Sequence, residues 1–152
     1  MKKFLVVLLA LLYGHIALGG GIEDIKKYEV QVLSKLVQDI VKEKHPRVYF
    51  IGVKPSEIKA FRRYTNIVVV NDPKEADFVF VRNLEKPLNI KKPAFALDTK
   101  SIKYCRYCIG VFTWKNGRPM LVIFKEAVSS MNIHLPKDYE YFMDSKKYVL
   151  SR

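Results

Sequence analysis

Two short segments, residues 66–70 (NIVVV) and 77–81 (DFVFV), each a polar residue followed by an unbroken apolar run, constrain the fold of this chain more than any other feature. A strand with one wet face alternates apolar and polar side chains. A continuous β-branched and aromatic run instead predicts a strand covered on both faces, as in a parallel sheet with layers on either side. Residues 47–53 (RVYFIGV), closed by Gly52 and Pro55, predict another strand, and residues 94–97 a fourth. Between the strands lie the Asn71-Asp72-Pro73 turn and a loop over residues 87–93.

Helical periodicity precedes and separates these runs. Leu33, Leu36, Val37 and Ile40 recur at i, i+3, i+4 and i+7, and Ile22, Ile25 and Tyr28 or Glu29 extend the stripe backwards. Glu23 and Asp24 suit the first turn of that helix and Lys42 and Lys44 its last, with Pro46 as the stop. A second, shorter helix is expected over residues 55–64, opened by Pro55 and carrying Ile58 and Phe61. In the last third, residues 108–114 and 119–124 are β runs joined by Lys115-Asn116-Gly117-Arg118. Asn-Gly between apolar runs predicts a hairpin, because a type I′ turn needs positive φ at both central residues. Helices are expected at 125–131 and, started by Pro136, at 135–143. The fold class is therefore α/β: a single mixed β-sheet with helices packed on it, early strands parallel, and a C-terminal β-hairpin followed by a helix.

The N-terminus has the layout of an export signal. Lys2 and Lys3 form a basic head, residues 4–12 are apolar throughout, and Ala17-Leu18-Gly19 supplies small residues for cleavage. Broken by Gly14 and His15, the run is too short for a bilayer span of about 20 residues. A retained anchor is the alternative to cleavage; with no cysteine at the end of the leader, a lipid anchor is not expected. The organisation read from this is a signal peptide at 1–19, one domain at 20–145, and a loose charged tail at 146–152. The expected location is periplasmic.

The net charge is +12, or +10 without the leader. A charge of that size favours acidic partners: a polyanion, an anionic membrane surface in transient contact, an acidic protein face or an acidic ligand. The lysines are spread, with Lys91-Lys92 and Lys146-Lys147 as mere pairs, which is also the pattern of a solvated basic surface. Export argues against nucleic acid as the target.

Cys105-Arg106-Tyr107-Cys108 is the sharpest motif. Haem attachment needs a histidine after the second cysteine, where Ile109 stands. Zinc needs two further ligands, and His45 and His134 each stand alone, so no metal or other cofactor is expected. A redox dithiol gains its low thiol pKa at a helix start, whereas Cys108 runs into a β segment. Arg106 beside the cysteines still favours thiolate and keeps that alternative open. A structural disulfide in an oxidising compartment is the remaining reading. Tyr104, Tyr107, Phe112 and Trp114 gather around this element as packing residues or as an interaction surface, for which Arg106, Tyr107 and Trp114 are the candidates. Asp98 ends a strand as a lone carboxylate, and Ser129-Ser130 has no placeable histidine, so no catalytic residue is assigned and an enzyme is not expected.

The leader, the helix EVQVLSKLVQDIV, the strand VYFIG, the strand ADFVFV and the run CIGVFTWKNGRPMLVIFKEAVSSMNIHL together resemble the YfiR-like family of small periplasmic proteins. The matching positions include Gly110, Gly117, Arg118, residues 122–124 and residues 133–135. The resemblance implies a non-enzymatic regulator that binds the periplasmic part of a membrane signalling protein such as a diguanylate cyclase. The alternatives from the residues themselves are a periplasmic thiol–disulfide protein using the CxxC pair and a solute-binding module for an acidic ligand.

The leader makes a direct prediction. Protein recovered from the periplasm should start near Gly20 on N-terminal sequencing; an intact Met1 on a membrane-bound form would replace cleavage with an anchor.

Overall fold

The computed structural model describes residues 22–151. The leader and the cleavage point near Gly20 lie outside the described residues. Helix α1 (Ile22–Val41) is followed by β1 (Arg47–Ile51), α2 (Pro55–Tyr64), the short β2 (Val68–Val69) and β3 (Phe78–Val81). Then come β4 (Ala94–Ala96), a 3-10 helix (Lys100–Tyr104), and the hairpin of β5 (Cys108–Lys115) and β6 (Arg118–Phe124). The chain ends with α3 (Lys125–Ser130), a 3-10 helix (Lys137–Phe142), β7 (Met143–Asp144) and α4 (Lys146–Leu150). All seven strands form one mixed sheet in the order β2-β1-β3-β4-β5-β6-β7. The neighbours from β2 to β5 are parallel, β5 and β6 are antiparallel, and β7 returns parallel to β6.

The apolar stripe of α1 packs as its spacing predicts: Leu33, Leu36, Val37 and Ile40 are all buried. They share a layer with Phe61 of α2, Phe78 and Phe80 of β3, Phe95 of β4 and Phe112 of β5. Tyr139 closes that layer from the second 3-10 helix, its hydroxyl donating to Asp39 Oδ2 on α1 at 2.5 Å. The other face of the sheet is built from smaller residues, with Val79, Val81, Ala94 and Ala96 facing Ile102, Cys105, Cys108 and Val149. No long helix covers this face among the described residues; the first 3-10 helix, the 84–90 loop and α4 do so.

A β-bulge on β5 sets the phase of the hairpin. Ala94 pairs with Cys108 but Ala96 pairs with Val111, so β5 spends one residue more than β4 over the same span. Ile109 and Gly110 therefore turn to the same side. Cys108 joins Val111 on the thin face, while Ile109 joins Phe112 under α1. Gly110 is obligatory there: a Cβ would lie 2.3 Å from the Val122 carbonyl oxygen and 2.5 Å from the Phe95 ring.

Several expectations are corrected. Residues 66–70 form a two-residue outer strand rather than a strand buried on both faces, and Val68 is 45% exposed. Its outer flank has no neighbour in the sheet, so only Ile67 finds a buried position. The expected helix at 135–143 is a 3-10 helix, and Lys42 lies beyond the last turn of α1, in the left-handed region with φ 64°. The tail read as loose folds into α4. Val149 is buried on the thin face, and Glu126 accepts from the Ser145 hydroxyl at 2.5 Å and the Lys146 N–H at 3.3 Å.

The bulge yields a stability test. Gly110→Ala should cost about 3 kcal/mol or more, since backbone and a buried ring must move to admit one methyl. Gly117→Ala should cost only about 1 kcal/mol, from φ of +74° with nothing within 4 Å of the added carbon. Urea unfolding of both variants beside the parent checks the ranking.

Candidate functional site

Cys105 and Cys108 are joined in a disulfide, with Cα atoms 5.3 Å apart. Both are fully buried, packed against Ala94, Val111 and Ile102. The bridge ties the end of the first 3-10 helix to the start of β5, and it occupies the thin face as an apolar body. Closing so short a loop removes about 2 kcal/mol of chain entropy from the unfolded state in the entropic account.

The three residues considered for an interaction surface do not converge. Arg106 is exposed, its guanidinium 5.9 Å from the centre of the half-buried Tyr107 ring, and the Tyr107 carbonyl accepts the Ala94 N–H at 3.0 Å. Trp114 stands at the far end of β5, seven residues or roughly 23 Å along an extended chain. It packs edge-on to Phe112 at 6.5 Å, and its indole N–H donates to Glu29 Oε2 of α1 at 3.0 Å. Of the other aromatics, Phe112 is buried core and Tyr104 lies under the Lys103 ammonium, 4.9 Å from the ring centre.

Trp114 marks the edge of the sheet where the parallel strands end. The strand order reverses between β1 and β3, and in doubly wound sheets the crevice outside the carboxyl ends at such a point is where ligands sit. Here that edge carries Glu29 from α1, Glu57 from the first turn of α2, Arg82 after β3 and Asp98 after β4. The Arg82 guanidinium donates to both oxygens of Glu57, with both side chains only one-fifth exposed. Asp98 accepts the Asn83 N–H at 2.7 Å and the Ser101 N–H at 2.8 Å. Burial pushes the Asp98 carboxyl up, but hydrogen bonds from the Ser101 hydroxyl and these two amides outweigh it, and its pKa is lowered. Glu29 goes the other way. Its burial raises the pKa more than the Trp114 N–H and the neighbouring Arg82 lower it. Each carboxylate of this edge is thus committed to a partner inside the protein.

Round the same end of β5, on the thin face, the surface opens into a groove of about 460 Å³. Its apolar lining is Met120 of β6 with Val149 and Leu150 of α4, and Trp114 of β5 borders it. Lys100 and Lys103 of the 3-10 helix, Lys115 of β5, Thr99 and Thr113 also line it. Among the described residues no carboxylate lies within ion-pair distance of these three lysines. A more open depression at the hairpin tip shares Lys115 and Met120 and adds Arg118. Sequence reasoning named Trp114 and Asp98 here and missed the rest. The available signal was Glu29, an acidic residue on an otherwise apolar helix stripe; Lys100, Lys103 and Lys115 carry no local pattern.

The raised pKa of Glu29 fixes the sign of a pH effect. The folded chain holds the Glu29 proton more tightly than the unfolded chain does. Its contribution to stability is therefore full below the unfolded pKa and is lost as pH rises through the folded one. Glu29→Gln keeps an acceptor for the indole N–H without the charge. The variant should match the parent in acid and become the more stable of the two as pH rises to neutrality, read from urea midpoints at pH 4 and pH 7. A constant difference across that range would show that Glu29 is not held neutral by burial.

No protein-family model matches the chain, and no curated protein matches it in sequence.

Proposed function

We propose that this is an exported, non-enzymatic protein that works by binding a protein partner, the periplasmic part of a membrane signalling protein being the class the resemblance implies. The observation that supports a binding role is the disposition of charge. Carboxylates at the crevice edge are turned inward onto Arg82, Trp114 and backbone amides, while Arg106, Lys100, Lys103 and Lys115 face solvent. Outward cations on the disulfide-tied 3-10 helix and its loop, with Lys115 at the far end of β5, suit an acidic face on a partner. The thiol–disulfide alternative draws little support from two cysteines with no exposed surface and no helix start at the motif. The solute-binding alternative has a specific observation in its favour, the lysine-lined groove.

Capture from solubilised membranes, with the leaderless protein as bait, tests the first reading. Tyr107→Ala should weaken capture of a specific membrane protein by about 1–3 kcal/mol with little loss of stability, because this ring is only partly buried. Arg106→Ala should do the same and lose its effect in high salt. Trp114→Ala, by contrast, should lower the unfolding midpoint, since it orphans Glu29. Unaltered capture by both Arg106 and Tyr107 variants would remove this corner as the interface.

A further inference from the structure

We infer that the groove beside Trp114 is a binding site for a soluble amphipathic anion: one acidic head group on a short apolar tail, of the medium-chain carboxylate class. The inference rests on the acidic-ligand reading and names the chemistry of its ligand. About 460 Å³ lies within the roughly 300–1,000 Å³ typical of small-molecule sites. Lys100, Lys103 and Lys115 all line the groove, the Lys103 ammonium lying over the Tyr104 ring beside it, and none of the three is within ion-pair distance of a carboxylate among the described residues. Such a set of cations is complementary to an anion and to little else. The rest of the lining is largely apolar, and Leu150 leaves 49% of its area in water despite having Val149 and Met120 beside it. Covering that area with an aliphatic tail removes apolar surface from water, while the head stays with the lysines.

The chain's own segments are poor occupants. The first acidic residue of the sequence is Glu23, so the apolar stretch at 4–12 arrives with Lys2 and Lys3 and meets cations with cations. A second copy, at net +12, is repelled likewise. Thr99 and Thr113, which also line the groove, each carry a hydroxyl able to donate to an anion. Bulge phase explains why the site exists: with Trp114 turned under α1, Thr113 and its pair Met120 face the groove.

Binding is read by isothermal titration calorimetry on the intact protein, because the Trp114 indole is turned to the α1 side of the sheet. Titration with decanoate at low salt should give a saturable heat, at concentrations below those at which decanoate aggregates. Acetate and decanol should each bind at least about tenfold more weakly, lacking the tail or the charge. The triple variant K100Q/K103Q/K115Q and, separately, Leu150→Ser should each weaken decanoate by a similar factor. All four residues are exposed, so folding is not at stake, and unchanged circular dichroism confirms it. Equal binding of decanol, or decanoate binding untouched by the triple variant, would overturn recognition of the anion. Saturable binding of acetate or phosphate equal to that of decanoate would leave an acidic-ligand site standing and overturn the amphipathic class. No binding of any anion would overturn both. A response only to vesicles containing anionic lipid would assign the groove to a membrane surface and overturn the soluble ligand.

Discussion

One extra residue in β5 governs the C-terminal half of the molecule. Because strand side chains alternate with period two, a single insertion inverts every later assignment of face. Without it, Cys108 and Phe112 would point to the same side of the sheet. With it, the cystine lies on the thin face while Phe112 and Trp114 meet α1. The cost is that Gly110 can carry no side chain, since the Phe95 ring fills its place. The same phase puts the Trp114 indole within reach of Glu29 and leaves Thr113 and Met120 to the groove.

The two faces of the sheet are stabilised differently. Under α1 and α2, large aromatics stack and tilt against one another, Phe50, Phe61 and Phe80 with ring centres 5.0–5.6 Å apart. Such a layer gains from area and from ring geometry together. The opposite face has valines, alanines and the cystine beneath short connections. Its cover is a 3-10 helix, a loop and a five-residue helix rather than a long helix, yet Val79, Val81, Ala96 and the cystine are fully buried beneath it, and the cross-link holds the connection at β5 in place. Where that cover is incomplete, between the 3-10 helix and α4, the groove opens.

Local signals in the sequence carried most of the architecture. Residues 55–64 were legible as a helix because proline starts it and the apolar spacing is helical; the bounds of α2 agree. Asn116 and Gly117 adopt φ of 53° and 74°, as the Asn-Gly turn requires. What failed was non-local. NIVVV has the composition of a central strand, yet the sheet order puts β2 at the margin, and composition cannot report which neighbours a strand will find. Val149 sits between Tyr148 and Leu150 in a tail flanked by charge, and which of the three is buried depends on a patch assembled from strands as far back as β3. The bulge is silent for the same reason, since Ile109-Gly110 looks like any strand pair until Phe95 lies opposite. The site suffers most, because Glu29, Glu57, Arg82, Asp98 and the groove lysines come from elements that meet only in the folded sheet.

That assembly also sorts the charge. A lone carboxylate at the crevice edge would face a chain of net +12 and draw in the nearest cations. Instead Glu57 takes one guanidinium nitrogen of Arg82 between its two oxygens, and Asp98 engages amides of two loops. Both carboxylates are spent on fixing connections after β1, β3 and β4. The lysines of the neighbouring groove then have no acidic residue of their own to fold onto, and their fields add rather than cancel. A surface of this kind attracts anions at long range and loses that attraction as salt shortens the Debye length to about 8 Å at physiological strength. The apolar lining is insensitive to salt. A ligand with a charged head and an apolar body therefore draws on both, arriving through the first and held by the second, whereas a bare ion or a bare hydrocarbon has use of only one.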